Sequence, residues 1–226
     1  MKRFWKEARA EGGDVLLDGR PVRTPKRNTL ALATPALADA VAAEWNGVGE
    51  ELDPRALPLT GLANAAIDIV EPDRLAFGEA LAKYGEPDLL AYRAESPPEL
   101  VARQAAEWDP LLAWVQHRYD VHVEVTAGVM HRPQPPATVE RLRDATVALG
   151  TFQLAALSPL VTIAGSLVAG PALVERAFDA DRLWNAVNLD ELWQEEQWGA
   201  DPLAEQAREA RRRDWDAAVR FLQLLD

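Results

Sequence analysis

The chain has 226 residues, 48% hydrophobic and 27% charged, with a net charge of −12, a profile of an ordinary globular protein able to bury a sizeable core. The acidic balance argues against general nucleic-acid binding, which needs a basic surface to displace phosphate counterions; Lys2-Arg3, Lys26-Arg27 and Arg211-Arg212-Arg213 are short and read as solvated turns or helix faces. Cysteine is absent, which removes disulfides, thiolate catalysis and thiolate-bound zinc or iron–sulfur centres.

The basic start is interrupted at once by Phe4-Trp5-Lys6-Glu7, so no secretory signal is expected. Asp14-Val15-Leu16-Leu17 runs through Asp18-Gly19 into Arg20-Pro21-Val22-Arg23-Thr24, a hairpin pattern with Pro21 on an edge. Pro25 to Asn28 makes a second turn before Thr29 to Leu32, which predicts a three-stranded meander. Thr34-Pro35 then reads as an N-cap and first helical residue, with Leu37, Val41, Trp45 and Val48 on one stripe. Thr60 is placed to cap the next helix, with Leu62, Ala66 and Ile69 facing inward.

From there helices dominate. Glu71-Pro72-Asp73 starts one, and Ser96-Pro97-Pro98-Glu99 matches a capping box ahead of another that holds Trp108 and Pro110. Val121 to Val125 alternates apolar and polar and is predicted to be a half-buried strand. Phe152 to Val174 carries no formal charge and is long enough for a span. Its polar residues and its breakers Pro159, Gly165, Gly170 and Pro171 instead predict a broken pair of core helices. Asp179 is read as the cap of the helix ending at Gly199, and Asp201-Pro202 as the start of the last helix. The expected architecture is α+β: a small N-terminal α/β domain with antiparallel strands over 1–58, joined by strand 121–125 if that strand returns to its sheet, and a mainly helical bundle over 59–226.

Enzyme motifs are missing. His117, His122 and His131 sit in no metal-ligand spacing, and there is no phosphate-cradling glycine loop and no Gly-x-Ser-x-Gly elbow. Asp190-Glu191 and Glu195-Glu196 are adjacent pairs that do not face each other on a helix. A carboxylate-dependent hydrolase stays open as an alternative, to be recognised by two inward carboxylates roughly 5–10 Å apart. The segment from Leu189 to Gly199 sets two indoles, four carboxylates and two glutamines on about three turns of predicted helix; the residues alone favour an amphipathic helix that buries its tryptophans in the core, with an aromatic interface centre rimmed by polar groups as the alternative.

Several motifs occur together and in order: Arg3-Phe4-Trp5-Lys6; Leu17-Asp18-Gly19-Arg20-Pro21-Val22-Arg23-Thr24-Pro25; Ala43-Glu44-Trp45; Leu57-Pro58-Leu59-Thr60; Ile67-Asp68; Tyr84 with Asp88-Leu89-Leu90; Trp108-Asp109-Pro110-Leu111; and Trp193-Gln194-Glu195-Glu196-Gln197-Trp198-Gly199. Across nearly the whole chain they resemble the ATP synthase F1 assembly-factor family that chaperones the α subunit, and the chain resembles a bacterial member because no mitochondrial presequence precedes the first motif. The resemblance implies a monomeric cytoplasmic protein with no cofactor, no metal and no catalysis. It would bind the F1 α subunit and give it up to the β subunit. It carries over central motifs to Glu44 with Trp45 and to Glu191, Gln194 and Trp198. Arg3, Trp5 and Arg20 join them as candidate partner-binding residues, Trp5 with packing on the chain's own sheet as its alternative. A binding module for a different client is the other reading left open.

Overall fold

The computed structural model describes residues 2–226. Strands β1 (Ala8–Glu11), β2 (Asp14–Leu17) and β3 (Arg20–Pro21) form an antiparallel sheet in that order. Asp18 and Gly19 have φ of 48° and 80°, the two left-handed positions of the tight turn that Asp-Gly favours. Leu17 therefore pairs with Arg20 and Leu16 with Pro21, leaving proline on the edge strand. The expected strand at Thr29 to Leu32 makes only bridges, Arg23 to Thr29 and Asp14 to Ala31. The third strand is β1, whose Ala-Arg-Ala-Glu sequence has weak β propensity. The Asn46 amide acts as its partner, donating to the Ala8 carbonyl and accepting the Ala8 N–H, both at 2.8 Å.

Helix α1 (Pro35–Gly47) begins as expected, with the Thr34 hydroxyl accepting the Leu37 N–H at 3.1 Å. Helix α2 (Pro58–Ala65) starts before Thr60, and its cap is remote. The Glu44 carboxylate of α1 accepts the N–H groups of Leu59 and Thr60 and the Thr60 hydroxyl at 2.7 to 2.9 Å, a negative charge on a helix N-terminus. A π-helical turn, Ala66–Val70, follows. The wider turn shifts the helical phase, so Ile69 is 58% exposed rather than inward, while Asp68 is buried along with Ala66 and Val70.

By their contacts the residues divide into two units. The first is the chain up to Arg74, with Gly150–Ala156 and Asp214–Asp226; residues 59–74 and the two late segments thus cluster with the sheet. Its core is Val15, Leu30, Leu37 and Val41, all fully buried, with Phe152 stacked on buried Phe221.

The second unit, Leu75–Leu149 and Leu157–Arg213, is built on α4 (Pro98–Tyr119), whose Trp108, Leu111 and Val115 are buried. Before α4 come α3 (Arg74–Ala82) and β4 (Tyr92–Arg93); after it come β5 (Thr126–Ala127), parallel to β4, and α5 (Pro136–Val147). The Ser96 box does not form: the helix starts at Pro98 with Pro97 as its N-cap, and no side chain caps it. The strand expected at 121–125 is also absent. Val121 and Val123 are buried and His122 and Glu124 exposed, so the alternation is real, but side chains replace the ladder. Thr138 brackets His122, accepting its N–H at 3.2 Å and donating to its carbonyl at 2.7 Å. Gln134 does the same for Glu124 at 2.8 and 2.9 Å.

The uncharged stretch forms α6 (Thr151–Ala164) and α7 (Ala169–Val174) with the expected break; a side chain at Gly170 would collide with Leu157, so glycine permits their close approach. Buried Asp88 secures that break, accepting the Ser166 hydroxyl and the Val168 and Leu90 N–H groups, each at 3.0 Å. No helix among the described residues is long and apolar enough to cross a membrane. Helices α8 (Ala180–Val187), α9 (Leu189–Trp198) and α10 (Pro202–Gln223) complete the chain.

Candidate partner-binding site

Asp179 caps α8, accepting the Asp181 and Arg182 N–H groups, but that helix stops at Asn188. The segment singled out in the sequence is a separate helix, α9, ended by Gly199 at φ 89°. Buried Leu189 roots it. Its carboxylates then bind it to two neighbours. Asp190 accepts the Gln104 amide of α4 at 2.7 Å, and Gln104 in turn accepts the Ala94 N–H at 2.8 Å. Glu196 pairs with Arg103 of α4 at 2.7 Å, and that guanidinium holds its carboxyl below the usual range. On the other side Glu191 pairs with Arg211 at 2.5 Å and Arg208 at 3.2 Å, and Glu195 with Arg208 at 2.5 Å. The motif's charge is thus consumed in fixing α9 between α4 and α10.

Besides Glu196, α9 exposes amide and indole side chains to solvent. Gln194, Gln197 and Trp198 are exposed, the last by 79%. With Trp193 and Asp190 they line a cleft of about 370 Å³ whose opposite wall is Ser96, Pro97 and Leu100. Arg103 stands 6.0 Å from the Trp193 ring centroid, at the outer limit of a cation–π contact. Asp190 is the one carboxylate lining this cleft among the described residues, and it is already bonded to Gln104. Among the described residues no group of three His, Asp or Glu is arranged to hold a metal ion.

The candidate residues therefore part company. Gln194 and Trp198 share the cleft, while Glu191 turns away to the α10 arginines. Arg3 and Trp5 belong to the first unit. Trp5 is 4% exposed, packs edge-on against Trp45 with centroids 5.1 Å apart, and donates to the Trp45 carbonyl at 3.2 Å. Arg3 donates to the carbonyls of Trp5, Lys6 and Val48 at 3.0, 2.9 and 2.6 Å. Arg20 lies on β3, exposed, with no ion pair among the described residues. The far wall of the cleft was not anticipated: Ser96 to Leu100 lies some ninety positions from α9 in the sequence, and nothing local marks it.

A family model described as ATP12 chaperone protein matches residues 2–116. The chain is 26% identical over 216 residues to the protein "atp12, mitochondrial" of Schizosaccharomyces pombe, covering 88% of this chain and 74% of that one. Among solved structures it resembles Atp12 of Paracoccus denitrificans, with a TM-score of 0.94 and 41% identity, covering all of this chain and 98% of that one. The Atu1473 protein of Agrobacterium tumefaciens has the same TM-score at 36% identity, over all of this chain and 86% of that one. A fold so shared defines an assembly chaperone. The chain belongs to the ATP12 chaperone protein family, whose work is ATP synthase assembly.

Proposed function

We propose that this protein binds the α subunit of F1 ATP synthase, keeps it from aggregating and releases it to the β subunit, acting in the cytoplasm as a monomer and without chemistry of its own. The observation that carries the reading is Trp198, a large indole 79% exposed above a cleft with an indole and leucine wall, on a helix fixed from both sides. An unassembled subunit exposes apolar surface that its neighbours would cover in the finished complex, and such surface associates wrongly. An aromatic anchor preorganised on a rigid helix loses little entropy on binding. A small cleft rimmed by amides grips without becoming a large dry interface, so β can displace the chaperone by competition and no nucleotide cycle is needed.

The test is light scattering after size exclusion on the chain mixed with the α subunit of the same organism, with β added second. The expected result is a one-to-one complex that keeps α in solution and dissolves when β arrives. Aggregation of α at an unchanged rate refutes the proposal, and another client then has to be sought.

A further inference from the structure

The turn after β3 is built in a way that the family function does not call for. Arg23 bridges Thr29, Thr24 donates to the Asn28 carbonyl, and Arg27 donates to the Thr24 carbonyl at 2.8 Å. This is a three-residue hairpin loop, Pro25-Lys26-Arg27, whose last position is left-handed: Arg27 has φ 68°. Glycine is the residue that conformation favours. Arginine adopts that conformation less readily than glycine, and the loop beneath it is held in place by other contacts.

Beneath the loop lies Asp68 from the π turn, 4% exposed. Its carboxylate accepts the Thr24 hydroxyl at 2.7 Å, the Asn28 amide at 2.8 Å and the Lys26 N–H at 2.9 Å, and its carbonyl accepts the Lys26 ammonium at 2.8 Å. All these bonds go to the one loop. The buried charge is therefore spent on fixing the loop's shape, while Arg20, Arg23 and Arg27 stand in solvent. The Arg23 side chain bonds Thr29 at 2.6 Å, and the side chains of Arg20 and Arg27 have no partner among the described residues. From Arg20 to Asn28 there are four basic residues and no acidic one, in a chain of net charge −12.

We propose that this clamped loop is a docking site for a short acidic segment of the client subunit, separate from the cleft beside Trp198 and reaching the same partner. The proposal rests on the client reading above. Three arginines rather than lysines suit paired hydrogen bonds to carboxylates. Arg23 and Arg27 flank the loop, close enough along the chain for a few residues of peptide to reach both, while Arg20 lies three positions before Arg23 on the opposite face of the strand. An extended polyanion such as a bilayer or a nucleic acid would meet the whole molecule's negative charge, whereas a short acidic segment meets only the loop.

The test uses the full chain. Association with the α subunit is followed by stopped flow at low and high NaCl for the wild type, for the triple variant Arg20→Ala, Arg23→Ala, Arg27→Ala, and for Arg27→Gly. The same proteins are titrated with a fluorescein-labelled oligoglutamate peptide and with phosphatidylglycerol vesicles. At low salt the triple variant should associate with α about ten-fold more slowly, within the range of electrostatic steering, and lose most of its salt dependence. Arg27→Gly should be partly slowed although it relieves the backbone, which separates docking from folding. A triple variant that associates like the wild type, with an unchanged salt slope, overturns the proposal. So does wild type that binds the vesicles but not the peptide. Arginine-dependent peptide capture by a chain that does not hold α would uphold the acidic-segment chemistry and remove the client.

Discussion

Asp68→Asn is the sharpest probe of the first unit, because it changes one atom in a buried site whose hydrogen bonds to the Thr24–Asn28 loop are defined. One amide oxygen can keep both the Thr24 hydroxyl and the Asn28 amide, which share Oδ1 in the native structure. The other oxygen becomes an NH2 facing the Lys26 N–H, donor against donor. Setting a donor against the part-buried Lys26 N–H costs about 1–3 kcal/mol, and each bond that loses its ionised acceptor weakens by roughly half. The expected loss is about 3 kcal/mol, which is a fall in Tm of roughly 6–12 °C for a chain of this size. The effect has a pH signature. Burial alone would raise the Asp68 pKa, but the bonds from Thr24, Lys26 and Asn28 outweigh it and hold the carboxyl below its usual range. A lowered pKa gives stability that is present above the unfolded value of about 3.9 and lost as pH falls through the folded one. Urea unfolding at neutral pH and at steps down through the acid range should show the wild type and variant converging as pH falls. A difference under about 1 kcal/mol at neutral pH, or one that does not shrink in acid, would refute the account.

Trp198→Ala should leave urea stability within about 0.5 kcal/mol, as for other surface changes, yet weaken the α complex by about 2 kcal/mol, roughly thirty-fold; loss of fold seen by circular dichroism would make the indole structural instead. Asp88 has its pKa pushed up to about 6 by burial, with the bonds from Val168, Ser166 and Leu90 opposing it. Its contribution is present below the unfolded value near 3.9 and lost as pH rises through about 6, and the side-chain carboxyl resonance should titrate with that midpoint; a midpoint near the ordinary aspartate value would show that the hydrogen bonds win. Trp108→Phe removes the 2.7 Å bond from the indole to the Ala186 carbonyl and leaves a gap at a fully buried site, so unfolding free energy should drop by about 2–3 kcal/mol; an unchanged urea midpoint would contradict this.

Where the sequence could be read, the deciding chemistry lies within a few residues. The Asp18-Gly19 turn, the Thr34 cap and the Asp201 cap, which accepts the Leu203 N–H at 2.9 Å, are local devices, and each forms. What stayed hidden depends on partners far along the chain. Thr60 suggested a cap because nothing near it reveals that Glu44 supplies one. Val121 to Val125 alternates like a strand, and only Thr138 and Gln134 explain why no strand pairs with it. The α9 motif was visible as a string of carboxylates and indoles, but Arg103 is 93 positions from Glu196, so the split between anchoring carboxylates and exposed amides emerges only in the fold.

Val129, Met130, Trp198 and Leu203 are each more than three-quarters exposed. A molecule that keeps such side chains in water is itself at risk of self-association, since two copies meeting at high concentration have every reason to stick. Mutual repulsion is the safeguard. At neutral pH each copy carries −12, so approach of a second copy is opposed before its indole arrives, while a partner whose charge lies away from its docking surface is opposed less. The safeguard fades as pH nears the isoelectric point of about 4.8 or as salt shortens the screening length. The acidic composition that first spoke against nucleic acid is therefore also what opposes self-association of an assembly chaperone that keeps large apolar side chains in water.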